Sequence, residues 1–97
     1  MAERITITPE ELRDSSSKFT TKAGEIREIL SFLRSEVDSL EATWEGAAQN
    51  QFFISYGEME QTLNQFPEVL DGISQQLSMV AQTLEETDEQ LGAALQG

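Results

Sequence analysis

The side chains in this chain that could move protons or hold a cation are carboxylates. Glu10-Glu11 and Glu85-Glu86 are adjacent pairs. General acid–base work needs two groups held in a cleft and driven apart in pKa by their surroundings. Neighbours on a helix surface point in different directions, so both pairs read as solvated helix ends. Glu85, Asp88 and Glu89 have the i, i+3, i+4 spacing that could hold a cation weakly, but they lack the spacing of a calcium loop. Ser15-Ser16-Ser17 has no base to activate it, because the 97 residues include no histidine and no cysteine. No glycine-rich phosphate loop is present. The expectation is therefore no catalytic residue, no metal site, no cofactor and no enzymatic activity.

What remains is recognition chemistry. Trp44-Glu45-Gly46 holds the only tryptophan and lies near the middle of the chain. The large ring suits an end-cap on a packed seam, and the glycine suits a reversal of the backbone. Near the C-terminus, Leu84, Asp88, Leu91 and Leu95 share one helical face. An apolar stripe interrupted by one acid suits a peptide that docks in a groove. Gly92 and Gly97 favour the competing reading, a frayed terminus.

Two elements must position these features. Helix 1 is expected over about 8–42. Thr8 can cap it, Pro9 suits its first position, and Thr8 with Glu11 makes a capping box. Its expected buried positions are Leu12, Ser16, Phe19, Ala23, Ile26, Leu30, Leu33, Val37 and Leu40, which alternate four- and three-residue steps. The Ser15–Ser17 run should make the first turns the less stable end. A turn at about 43–46 leads to helix 2 at about 47–90. There Phe52, Tyr56, Met59, Leu63, Phe66, Leu70, Ile73, Leu77, Val80 and Leu84 keep the same steps. Pro67 falls inside this run and should kink the helix without ending it. A tail from about 84 to 97 completes the single domain. No period of two appears, so the fold class is all-α, an antiparallel helix-turn-helix hairpin.

A turn centred near residue 45 sets Leu12 near Leu77, Phe19 near Leu70 and Ile26 near Leu63. It sets Thr8 opposite Ala81 or Gln82 and leaves everything after about Leu84 overhanging. Ile29, Phe32, Phe53, Ile54 and Val69 lie off the main seam, and a lone hairpin has no third layer to cover them. Two hairpins face to face, a four-helix bundle with C2 symmetry, solve this. The expected hairpin and dimer core is Leu12, Phe19, Ile26, Ile29, Leu30, Phe32, Leu33, Val37, Leu40, Phe52, Phe53, Tyr56, Met59, Leu63, Phe66, Leu70, Ile73 and Leu77.

The net charge is −12, and its distribution is uneven. All six basic residues lie at or before Arg34, whereas twelve acids follow it. That pattern argues against nucleic acid and against stable insertion into anionic membranes. No signal-peptide core is visible at Met1–Ile7. By ordinary rules the protein would stay in the cytoplasm, and the simplest function would be an intracellular helical adaptor or dimerisation module.

Taken together, Ile7-Thr8-Pro9-Glu10-Glu11-Leu12-Arg13, the central Trp44-Glu45-Gly46, and the close from Gln75-Gln76-Leu77 through Leu84-Glu85-Glu86-Thr87-Asp88 resemble the Trp-X-Gly (WXG, "WXG-hundred") family. More narrowly, they resemble its EsxA-like members from Gram-positive bacteria, and the likeness spans the whole length. The resemblance implies a hairpin that dimerises into a four-helix bundle, with itself or with a related WXG chain. It implies export without a classical signal peptide by type VII (ESX) secretion, whose motor is an FtsK/SpoIIIE-like ATPase. It also implies a C-terminal export signal. The Tyr-x-x-x-Asp/Glu form is absent from the tail, since Tyr56 and Glu60 have its spacing but lie inside helix 2. Leu84, Asp88, Leu91 and Leu95 match the form of single-member Gram-positive systems, which favours a homodimer.

Overall fold

In the computed structural model, residues 7–96 are described, with side chains described through Thr87. Two helices and no strand are found among them: α1 (Pro9–Thr43) and α2 (Ala47–Gln96), joined by Trp44–Gly46. They fold back on each other into a rod of 78 × 25 × 18 Å.

Helix α1 begins where its chemistry dictates. The Thr8 hydroxyl accepts from the Glu11 amide at 3.1 Å, and the Glu11 carboxylate accepts from the Thr8 amide at 3.2 Å. Two amide donors that the first turn leaves orphaned are thereby satisfied. Pro9 follows at the first helical position, where its missing N–H is no loss. The helix ends at Trp44, whose extended backbone (φ −97°, ψ 124°) still donates to the Leu40 carbonyl at 2.9 Å.

Gly46 then takes φ +125°, the only positive φ among the described residues. A Cβ at this position would meet open space, so the demand for glycine is conformational and not steric. Gly46→Ala is expected to lower stability by about 1–2 kcal/mol, read as a lower midpoint in urea with an unchanged slope.

Helix α2 differs from expectation in where it ends. It continues to Gln96 and does not stop near residue 90. As expected, it runs through Pro67 as one element, and Pro67 is fully buried.

The seam is narrower than the apolar pattern implied. Its fully buried residues on α1 are Leu12, Ser16, Ala23 and Val37; on α2 they are Pro67, Ser74 and Ala81. Pro67, Ser74 and Ala81 are seven residues apart and were not among the expected buried positions. Of the expected ones, Phe19, Ile26, Leu30, Phe52, Tyr56, Leu70, Ile73, Leu77 and Leu84 are half-buried. Leu33, Leu40, Met59, Leu63, Phe66 and Val80 are exposed in the single chain. The reason is geometric. In this pair full cover falls mainly on one heptad position of each helix, with Leu12 of the flanking stripe added at the open end, and most of the covered residues are small. The flanking apolar positions belong partly to another face.

Facing residues follow expectation in the middle of the rod, where Ser16 meets Ser74, and Phe19 and Leu70 line one groove with Lys18 and Lys22. At the open end they shift. Thr8, Pro9 and Glu10 line a groove with Glu85, a few residues beyond the expected Ala81 or Gln82, so α1 covers α2 at least to Glu85. Side chains lean toward the N-terminus of their own helix. In an antiparallel pair this lean brings each α1 residue to a later α2 residue than a simple mirror about the turn.

Candidate interaction faces of the hairpin

The seven-residue repeat gives α1 three adjoining stripes. Ser16, Ala23, Leu30 and Val37 run down the seam. Leu12, Phe19, Ile26, Leu33 and Leu40 flank it on one side, and Arg13, Thr20, Arg27 and Arg34 on the other. Each flank meets its counterpart on α2, so the hairpin has a polar edge and an apolar face.

The polar edge is clasped by ion pairs. Arg13 Nη2 lies 2.6 Å from Glu85, and Arg27 Nη2 lies 2.5 Å from Asp71. Arg34 holds Glu60 with two nitrogens and reaches Asp38 at 3.1 Å. The first two pairs are half-exposed and each is worth well under ~1 kcal/mol. The Arg34 cluster is more enclosed. Hydrogen bonds to Glu60 and then to Asp38 raise the guanidinium pKa, and the same bond from Arg34 lowers that of Glu60. A depressed carboxylate pKa contributes stability that is present above the ordinary value of about 4.5 and lost as pH falls through the folded value. Arg34→Gln is therefore expected to lower the melting temperature at pH 7, with the gap from the parent shrinking below about pH 4.5. Thermal melts across that range test the sign.

At the turn, Trp44 packs against Phe52 and Phe53 with ring centroids 5.4 and 5.7 Å away, and Phe52 stacks on Tyr56 at 6.4 Å. Arg34 sits over the Tyr56 ring at 5.1 Å. The Tyr56 hydroxyl is buried without a hydrogen-bond partner. A buried orphan hydroxyl is destabilising, so Tyr56→Phe is expected to raise stability by up to about 1 kcal/mol. Denaturant titration reads this directly, and a loss of stability would mean that the hydroxyl is satisfied after all.

The apolar face is broad. Met59, Phe66 and Val80 are exposed at one heptad position of α2, and Leu63 lies beside them. Leu33, Leu40 and Ile29 continue the face onto α1. Phe32 is exposed as well, and like Ile29, which repeats Ser15, Lys22 and Glu36, it sits at an otherwise polar heptad position. It shares its heptad position with Lys18, Glu25 and Ser39, which marks a rim. Ile54, Val69 and Met79 are also exposed away from the centre of the face.

In the tail, Leu84 is half-buried. Asp88, Leu91 and Leu95 lie on the helical backbone of α2, but their side chains fall outside the described residues. The sequence reading named neither the specific clasps of the polar edge nor the role of Ser74 and Ser78. The heptad spacing of Arg13, Arg27 and Arg34 was the signal for the former. The hydroxyl partners had none, because a serine reads as a break in an apolar pattern.

Among the described residues no cluster of metal-ligating side chains occurs, and no helix is long and apolar enough to cross a membrane. The arrangement defines a class: a two-helix rod with a Trp-x-Gly turn, a polar edge and an exposed apolar face. Residues 4–89 match the family described as proteins of 100 residues with WXG, WXG100. The chain belongs to the WXG100 family. It is 32% identical over 94 residues to an ESAT-6-like protein of Streptococcus agalactiae, covering 97% of this chain and 98% of that one. It is 33% identical over 87 residues to type VII secretion system extracellular protein A of Staphylococcus aureus, covering 90% of each. The crystal structure of EsxA from Geobacillus thermodenitrificans superposes with a TM-score of 0.81 at 30% identity, covering 94% of this chain and all of that one.

Proposed function

We propose that this protein is a non-enzymatic substrate of type VII secretion, exported as a folded C2 homodimer without a classical signal peptide, and an aid to the export of other substrates. The observation that carries the proposal is the exposed apolar face on both helices, in a chain whose relative in Staphylococcus aureus is named as a type VII extracellular protein. A face holding Met59, Leu63, Phe66, Leu33 and Leu40 is too large to leave in water. A second copy is the occupant that fits it, because burying the same stripe on both copies completes a four-helix bundle.

The tail then serves as the address. Leu84, Asp88, Leu91 and Leu95 present an amphipathic helix end to a groove on an FtsK/SpoIIIE-like secretion ATPase. The protein resides in the cytoplasm before export and outside the cell after it. Comparing culture supernatant with cell lysate, with the secretion ATPase intact and deleted, tests the reading. The protein is expected in the supernatant only when the ATPase is present. Retention in the lysate of both strains would favour an intracellular adaptor instead.

A further inference from the structure

Where the tail leaves the hairpin, the docking stripe and the hairpin seam become the same surface. Ala81, Asp88 and Leu95 are seven residues apart, as are Leu77, Leu84 and Leu91. The tail stripe therefore continues the face of α2 that packs on α1. Its first anchor, Leu84, is half-buried, and α1 is what covers this stretch: Arg13 clasps Glu85, Thr8 to Glu10 lie beside Glu85, and Leu12 is buried.

The seam beneath that cover is made of hydroxyls. Ser16 Oγ donates to the Ser74 carbonyl at 2.8 Å, and Ser74 Oγ donates to the Ser16 carbonyl at 2.8 Å. Ser78 Oγ lies 2.8 Å from Ser16 Oγ, and Thr20 Oγ1 lies 2.7 Å from Ser74 Oγ. Each of the four hydroxyl protons thus has an acceptor. The cluster holds the helices in a defined fit, yet on separation every one of its groups can bond water instead. An apolar seam has no such compensation, because its surfaces lose free energy when hydrated. Apart from the hydroxyls, the strap's apolar hold is Leu12, which is buried, and Phe19, which is half-buried, and its other contacts are weak. Arg13–Glu85 is a half-exposed pair, and Ser15–Ser17, Thr20 and Thr21 are weak helix formers. The turn end, by contrast, is held by packed aromatic rings.

We infer that the first turns of α1, Pro9–Thr20, form a releasable strap over α2 that masks Leu84, and that its opening at the Ser16–Ser74 cluster extends the tail's docking stripe back to Leu77. This rests on the tail-docking reading. A groove that takes an amphipathic helix engages Leu91 and Leu95 first and Leu84 and Leu77 only after the strap lifts.

Hydrogen exchange on the purified full-length protein provides the first test. Amides of residues 13–20 are expected to exchange at least tenfold faster than those of residues 28–38. Ser16→Ala with Ser74→Ala replaces hydratable groups by apolar ones and is expected to slow residues 13–20 severalfold, and to reduce export severalfold. Equal protection of the two segments in the parent overturns the strap. Normal export of the Ser16→Ala/Ser74→Ala protein, with slowed exchange at residues 13–20 and export abolished by Leu91→Asp/Leu95→Asp, overturns the release step and leaves tail docking standing. Normal export of Leu91→Asp/Leu95→Asp overturns the tail-docking reading itself, whatever the exchange data show.

Discussion

Phe66→Asp is expected to abolish the dimer. Phe66 is 54% exposed in the single hairpin, so the substitution removes little from the hairpin's own seam. In a C2 interface each change counts twice. Losing the burial of one phenylalanine side chain forfeits about 1.5–3 kcal/mol, and an unpaired carboxylate adds a desolvation penalty. The sum over both copies is about 4 kcal/mol or more, on the order of a thousandfold in dissociation constant. Light scattering should report the dimer mass for the parent and the monomer mass for the variant at micromolar concentration. Ile54→Asp is the matched control. Ile54 is 56% exposed, but it shares its heptad position with Gln61, Glu68 and Gln75. Its replacement should leave the mass unchanged. Loss of the dimer in both variants, or in neither, would mean that the interface is elsewhere. Helicity of Phe66→Asp is also expected to lie below that of the parent at the same concentration, because the four apolar residues buried in the hairpin alone include two alanines.

Removing residues 88–97 is expected to stop export while leaving the bundle intact. The clasp between Arg13 and Glu85 and the half-buried Leu84 both precede the cut. Helicity, mass and melting temperature should therefore remain near those of the parent. Two leucine anchors leave with the segment, and at about 1.5–3 kcal/mol each their loss weakens groove binding by roughly a hundredfold or more. The readout is the ratio of supernatant to lysate, expected to fall by at least tenfold. Unchanged export of this truncation would remove the tail from the mechanism and shift attention to the body of the dimer.

Much of this was legible in the chain itself, for identifiable reasons. The Thr8-Pro9-Glu10-Glu11 start uses only local groups, so its capping box appears as written. The turn at Trp44–Gly46 follows from a positive φ that suits glycine and from two heptad runs that stop on either side. Helix type follows from the four-three spacing, because no strand can put residues so spaced on one face. The division of the apolar residues was not legible. Leu33, Leu40, Met59, Leu63 and Phe66 have the same period as the seam, and period alone does not say which of two adjoining faces a residue serves.

What the sequence determined by itself is therefore the set of local and periodic properties: two helices, their start, their reversal and a shared apolar phase. What only the tertiary structure decided is how that phase is divided. The seam closes over Ser16, Ala23, Pro67, Ser74 and Ala81, all buried and mostly small, while many of the larger apolar residues stay exposed. It also brought Arg13 to Glu85 and Ser16 to Ser74 across gaps of more than fifty residues. Pairings of that kind depend on the rotation and lean of two packed helices, quantities that no single stretch of chain encodes.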